Sequence, residues 1–202
     1  MMVDIQSNSV KKNEMILDIW GRKNPYFEEH YEHSVIRILS DYGIGASENT
    51  EAKGKILGAG YEVFILAYFI GLYSDKRLPL SDGESIKKFG QPIDKWGNLD
   101  SKKFRKAYSR LRDYIFVSLV AKTKDVDWIA LDKGEIEVAE VVEKLMKTME
   151  EYANYGFLVM AEKLNEDKGY FFSNRSLLDI FLQLTNNKPR KKKAEGMDVE
   201  PL

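Results

Sequence analysis

From Tyr61 to Tyr73 the chain carries ten large apolar or aromatic side chains and a single charge, Glu62. Such a stretch has no polar face at any helical phase, so a helix built from it must be enclosed on all sides. Fully burying each of these side chains is worth ~1.5–3 kcal/mol, which makes a helix over about 58–73 the expected centre of the core. The alternative enclosure is a lipid bilayer. The apolar run from Ile56 to Tyr73 lies at the short end of the ~17–25 residues a span needs, and it holds Glu62 and several glycines. No other segment resembles a second span, so a core helix and no membrane is the expectation.

The remaining segments supply what such a helix packs against. A short helix is expected from Ser9 to Gly21, with Met15, Ile16, Ile19 and Trp20 facing inward. Asn24-Pro25 is a helix-start signal, because Asn can accept the first free N–H groups and Pro is tolerated at the first helical position. Phe27, Tyr31, Val35, Ile38 and Tyr42 then recur at helical spacing up to Gly43. Residues 43–60 are polar and glycine-containing. Ser81 and Glu84 have the spacing of a capping box, which predicts a short helix ending near Gly90. Asp100 is the expected cap of a long helix to about Lys122, with Phe104, Tyr108, Leu111, Ile115 and Leu119 as its inner stripe. Residues 123–133 read as a loop or one short strand. A helix over 135–164 has Val138, Val142, Leu145, Met149, Tyr152, Gly156 and Met160 on one side. A last helix runs from Ser173 or Asn174 through Leu184.

The predicted architecture is therefore all-α: an irregular bundle of six or seven helices around the buried one. A single domain is expected over 1–186, with no internal repeat, followed by a disordered basic tail over 187–202. At 202 residues, 44% hydrophobic and 31% charged, the chain has a globular balance. Absence of cysteine excludes disulfides, thiol nucleophiles and cysteine metal sites. The polar segment Met1–Asn8 lacks the basic-then-apolar pattern of a secretory signal, so a cytoplasmic location is expected.

With a net charge of −1, any electrostatic function must come from local clusters. Lys102, Lys103, Arg105, Lys106, Arg110 and Arg112 fall within eleven residues, with no acid between Asp100 and Asp113. Cations near a helix start oppose the macrodipole, which suggests an anion such as phosphate as their partner. A bland explanation competes: Glu135, Glu137, Glu140, Glu143, Glu150 and Glu151 line a later helix and could pair with these cations. The tail adds Lys188, Arg190, Lys191, Lys192 and Lys193, the composition of a nucleic-acid-contacting arm or a solubilising tail.

Both histidines lie near Pro25. His30 and His33 are three residues apart and Glu29 is four before His33, a spacing that could place metal ligands on one helical face. The Glu-x-x-His pattern of di-iron bundles is absent, and so is His-Glu-x-x-His. Glu62 is either an edge carboxylate or a buried charge with a shifted pKa. Phosphate-loop, dinucleotide-loop and calcium-loop templates all fail on their glycine or oxygen-ligand positions. The sequence thus predicts a non-catalytic accessory protein without a cofactor, which binds a larger protein partner and contacts nucleic-acid phosphates through the basic run and tail. The alternatives are a protein–protein adaptor using Tyr152, Tyr155 and Tyr170, and a metal-dependent enzyme centred on His30, His33 and Glu29.

Overall fold

The computed structural model describes residues 15–40, 56–83, 85–97 and 110–186. Among them the element order is α1 (Ile16–Gly21), β1 (Tyr26–Glu28), a π-helical turn (Glu32–Ile36) running into α2 (Arg37–Leu39), and α3 (Gly60–Ser74). β2 (Ile86–Lys88), a 3-10 turn (Ile93–Lys95), α4 (Leu111–Lys122) and α5 (Trp128–Asp132) follow. The 29-residue α6 (Val138–Glu166), a second 3-10 turn (Tyr170–Phe172) and α7 (Ser176–Asn186) complete it. The architecture is a mostly all-α bundle with one two-stranded sheet. No helix among the described residues is long and apolar enough to cross a membrane.

α3 lies at the centre, as its composition requires, and its main neighbour is α6. The two backbones touch where small residues meet. A Cβ on Gly156 would sit 1.8 Å from the Ala67 carbonyl oxygen, and one on Gly71 would sit 2.0 Å from that of Tyr152. Around the crossing an aromatic cluster joins four elements. The Phe157 ring lies 5.3 Å from Tyr31, 5.8 Å from Phe64 and 6.3 Å from Phe27, while Phe64 also meets Phe89 and Trp96. α3 is not enclosed everywhere. Leu66, Phe69 and Leu72 are half-buried and Tyr73 is exposed, so one side opens as a groove against Leu111 of α4 and Phe181 of α7.

The ends of α3 follow from local chemistry. The Glu62 carboxylate reaches back to accept the Gly58 and Ala59 N–H groups at 2.7 and 3.3 Å. It is thus a half-buried edge carboxylate satisfying the helix start, which resolves the choice left open by the sequence. At the other end Asp75 adopts φ +53°, the left-handed conformation that closes a helix, and its carboxylate accepts from Lys122 at 2.5 Å.

Three expectations from local signals are corrected. The Asn24-Pro25 signal does not open a helix: Tyr26–Glu28 form β1, antiparallel to β2 with Tyr26 opposite Lys88 and Glu28 opposite Ile86. Asn24 is not a cap because its side-chain N–H donates to the Phe89 carbonyl at 2.7 Å, clamping β2 instead. Helical turns begin only at His30 and include the π turn. Tyr31 and Val35 are buried as expected, while the wider turn also buries Ile36 and Leu39 and leaves Ile38 only partly buried against the core. The helix expected after Ser81 is also absent, and Ile86–Lys88 form β2. Both the backbone N–H and the hydroxyl of Ser81 donate to Glu28, which removes the cap; Glu84 lies outside the described residues. Residues 123–133 contain a helix rather than a strand. Asp127 caps α5 by accepting from the Ile129 and Ala130 N–H groups at 3.0 and 2.9 Å.

The expected long helix from Asp100 is described from Leu111, with Ile115 and Leu119 buried as predicted. Its earlier part, with Phe104 and Tyr108, lies outside the described residues, as do the Ser9 start of the first helix, Tyr42 and the 187–202 tail. Met15, expected to face inward, is 63% exposed because it precedes α1.

Candidate nucleic-acid interface

Of the nine cationic site candidates, Lys102, Lys103, Arg105, Lys106, Arg190, Lys191 and Lys192 lie outside the described residues. Arg110 and Arg112 flank the first residue of α4 and point differently. Arg110 is exposed and pairs with no acid among the described residues. Arg112 is half-buried, its stem set among Ile65, Ile93, Trp96 and Ile115, and its Nε finds no acceptor there. Two residues of helix turn them about 200° apart, so the inner stripe Leu111–Ile115 leaves Arg110 to solvent and draws Arg112 inward.

The same phase exposes an aromatic ring that sequence reasoning missed. Tyr114 is 64% and Val117 65% exposed, on the side of α4 away from Ile115 and Leu119. The signal was present in the predicted stripe: Tyr114 lies one residue before Ile115, about 100° round the helix, and Val117 two after it, about 200° round.

Most other cations near the fold have partners. Arg37 and Lys87 both grip the buried Glu32, and the Lys87 hydrogen bond holds that carboxyl below its usual range despite burial. Arg77 pairs with Glu151 at 2.5 Å, Lys144 with Glu140 at 2.9 Å, and Lys163 with Glu166 at 3.0 Å. Three of the acids that could pair with the basic run have partners elsewhere among the described residues. Glu140 takes Lys144, Glu151 takes Arg77 and stands 4.0 Å from Lys147, and Glu150 accepts the Tyr26 backbone N–H at 2.8 Å. None meets Arg110 or Arg112 among the described residues.

The buried acids instead hold chain segments in place. Glu28 fastens Ser81, while Glu151 and Asn154 fasten the 77–79 stretch through Arg77 and the Leu78 and Pro79 carbonyls. Glu150 is the one placed unfavourably. Burial pushes its carboxyl from 4.5 up to about 7, the Tyr26 N–H opposes the rise, and neighbouring Glu151 adds to it. A carboxyl raised on folding contributes stability that is whole below its unfolded value and is lost as pH rises through the folded one. Glu150→Gln is therefore expected to leave thermal stability unchanged at about pH 4 and to raise it by ~1–2 kcal/mol at about pH 8, discounted for partial solvent access. Melting curves at the two pH values check this.

The histidine cluster does not converge. His30 and His33 sit at the strand-to-π-turn junction, where regular α spacing is lost. The His30 side chain is 61% exposed with Nδ1 3.7 Å from Glu28, and Glu29 leans toward Lys87 at 4.0 Å. Among the described residues no three His, Asp or Glu side chains gather so as to hold a metal ion. The adaptor alternative loses one of its surface candidates, since Tyr152 is buried against Tyr68 at the α3–α6 crossing; Tyr155 and Tyr170 are half-buried.

Comparison with known proteins gives no match: no protein-family model, no curated protein and no solved structure matches this chain.

Proposed function

We propose that this chain is a non-catalytic accessory protein of the cytoplasm that binds a larger partner and contacts nucleic-acid phosphates through Lys102, Lys103, Arg105, Lys106 and Arg110. The 188–193 stretch of the tail adds non-specific attraction. The observation that carries the reading is Arg110. It is exposed and meets no acid among the described residues, whereas Arg77, Lys87, Lys122 and Lys144 are each engaged by one. Cations left without intramolecular partners are available to phosphates, and their release of condensed counterions makes binding steeply salt-dependent.

The test is a salt titration of binding to a labelled oligonucleotide. Five neutralised phosphates predict a log–log slope of about −4.5 on a duplex and about −3.5 on a single strand, made shallower by just under one unit with Arg110→Ala. Binding that ignores salt, or no binding at low salt, contradicts the reading.

The adaptor reading is favoured by a separate observation. The groove of about 480 Å³ beside Phe69, Tyr73 and Phe181 lies near the exposed Leu178 and Leu182 of α7, an apolar surface that suits a protein partner. Partner capture that survives nuclease and loss of the basic run distinguishes it.

A further inference from the structure

Arg110 and Tyr114 are four residues apart, so their side chains share one face at the start of α4. Both are exposed, and among the described residues no acid pairs with Arg110 and no ring packs on Tyr114. Val117 continues the exposed face one turn further. In the sequence four further cations, Lys102, Lys103, Arg105 and Lys106, precede this face, with no acid between Asp100 and Asp113. Resting on the phosphate-contact reading above, we infer that the nucleic acid is single-stranded, with the Tyr114 ring stacked on an unpaired base and Arg110 on the neighbouring phosphate.

The charge pattern brings a polyanion to this face, and the ring decides which kind. In a duplex both faces of every base are covered by its neighbours, so an aromatic ring on a helix surface has nothing to stack on. In a single strand each base offers a π-face, and stacking on an aromatic side chain is tolerant of sequence. The spacing also fits. Side chains at i and i+4 lie about 5–6 Å apart at Cβ, close enough for one to reach a base while the other reaches a phosphate of the same strand.

The experiment measures binding of the full chain to a fluorescein-labelled oligothymidylate, and to a duplex of equal length, by anisotropy at low salt. Tyr114→Ala is expected to weaken oligothymidylate binding about tenfold and to change duplex binding by less than about twofold, while Tyr114→Phe keeps the wild-type affinity. Because the residue is 64% exposed, unchanged circular dichroism should accompany all variants. An oligothymidylate affinity unmoved by Tyr114→Ala, with salt-dependent binding of both nucleic acids retained, overturns the stacking inference and leaves the phosphate reading standing. If neither oligothymidylate nor duplex binds, the phosphate reading fails and the inference falls with it.

Discussion

Gly156→Ala should lose at least about 3 kcal/mol of stability, lowering the melting temperature by about 10 °C or more. The added methyl would lie 1.8 Å from the carbonyl oxygen and 2.7 Å from the Cα of Ala67. Both are backbone atoms of α3, so no rotamer change relieves the clash and the helices must separate by about 1.5 Å to restore contact distance. Separation there loosens the ring contacts that flank the crossing, including Tyr152 on Tyr68 and Phe157 on Phe64. Gly71→Ala meets the Tyr152 carbonyl at 2.0 Å and should behave alike. Gly90→Ala is the control: its Cβ meets nothing within 4 Å and its φ is not positive, so stability should be unchanged or slightly higher. Thermal melts of the three variants side by side check the argument.

Phe157→Ala is expected to be comparably damaging, at ~3–5 kcal/mol. The side chain is wholly buried, and its ring touches β1 through Phe27, the start of the π-turn helix through Tyr31, and α3 through Phe64. Removing it leaves a cavity whose walls belong to different elements, so collapse would require several of them to move together. Phe157→Leu fills most of that space and should lose less than half as much. Equal losses for Ala and Leu in urea unfolding would show that the ring contacts, rather than the filled volume, set the stability.

How much of this was legible beforehand depended on whether a segment's chemistry was local. α3 and α6 were readable because an all-apolar run and a long amphipathic stripe each have only one way to be buried. The β1–β2 sheet was not readable. Asn24 and Ser81 carry the side chains of helix caps, but each bonds a group far along the chain: Asn24 the Phe89 carbonyl, Ser81 the Glu28 carboxylate. Tertiary partners won over the local signal at both places. The π turn was equally hidden, because one extra residue in a helical turn leaves the apolar pattern nearly intact while moving Ile36 in and Ile38 outward. α5 could have been found, since Asp127 stands before Trp128 and its carboxylate caps the next N–H groups.

At the candidate interface the order reverses. The basic run was plain in the sequence, but its facing was not. Only the phase of Ile115 and Leu119 separates the exposed Arg110 from the half-buried Arg112, and only that phase turns Tyr114 outward. Likewise the sequence could not show that Glu140, Glu150 and Glu151 bond to Lys144, the Tyr26 backbone and Arg77.

α3 is the centre of the fold, locked to α6 by glycine contact and open along the groove beside Phe69, with α4 held against that unit. Native-state hydrogen exchange followed along the chain tests this most directly. The amides from Val63 to Gly71 and from Tyr152 to Phe157 should exchange slowest and together, at the rate of global unfolding, with α1 and α7 opening earlier. α3 amides exchanging as readily as those of α1 or α7 would contradict it.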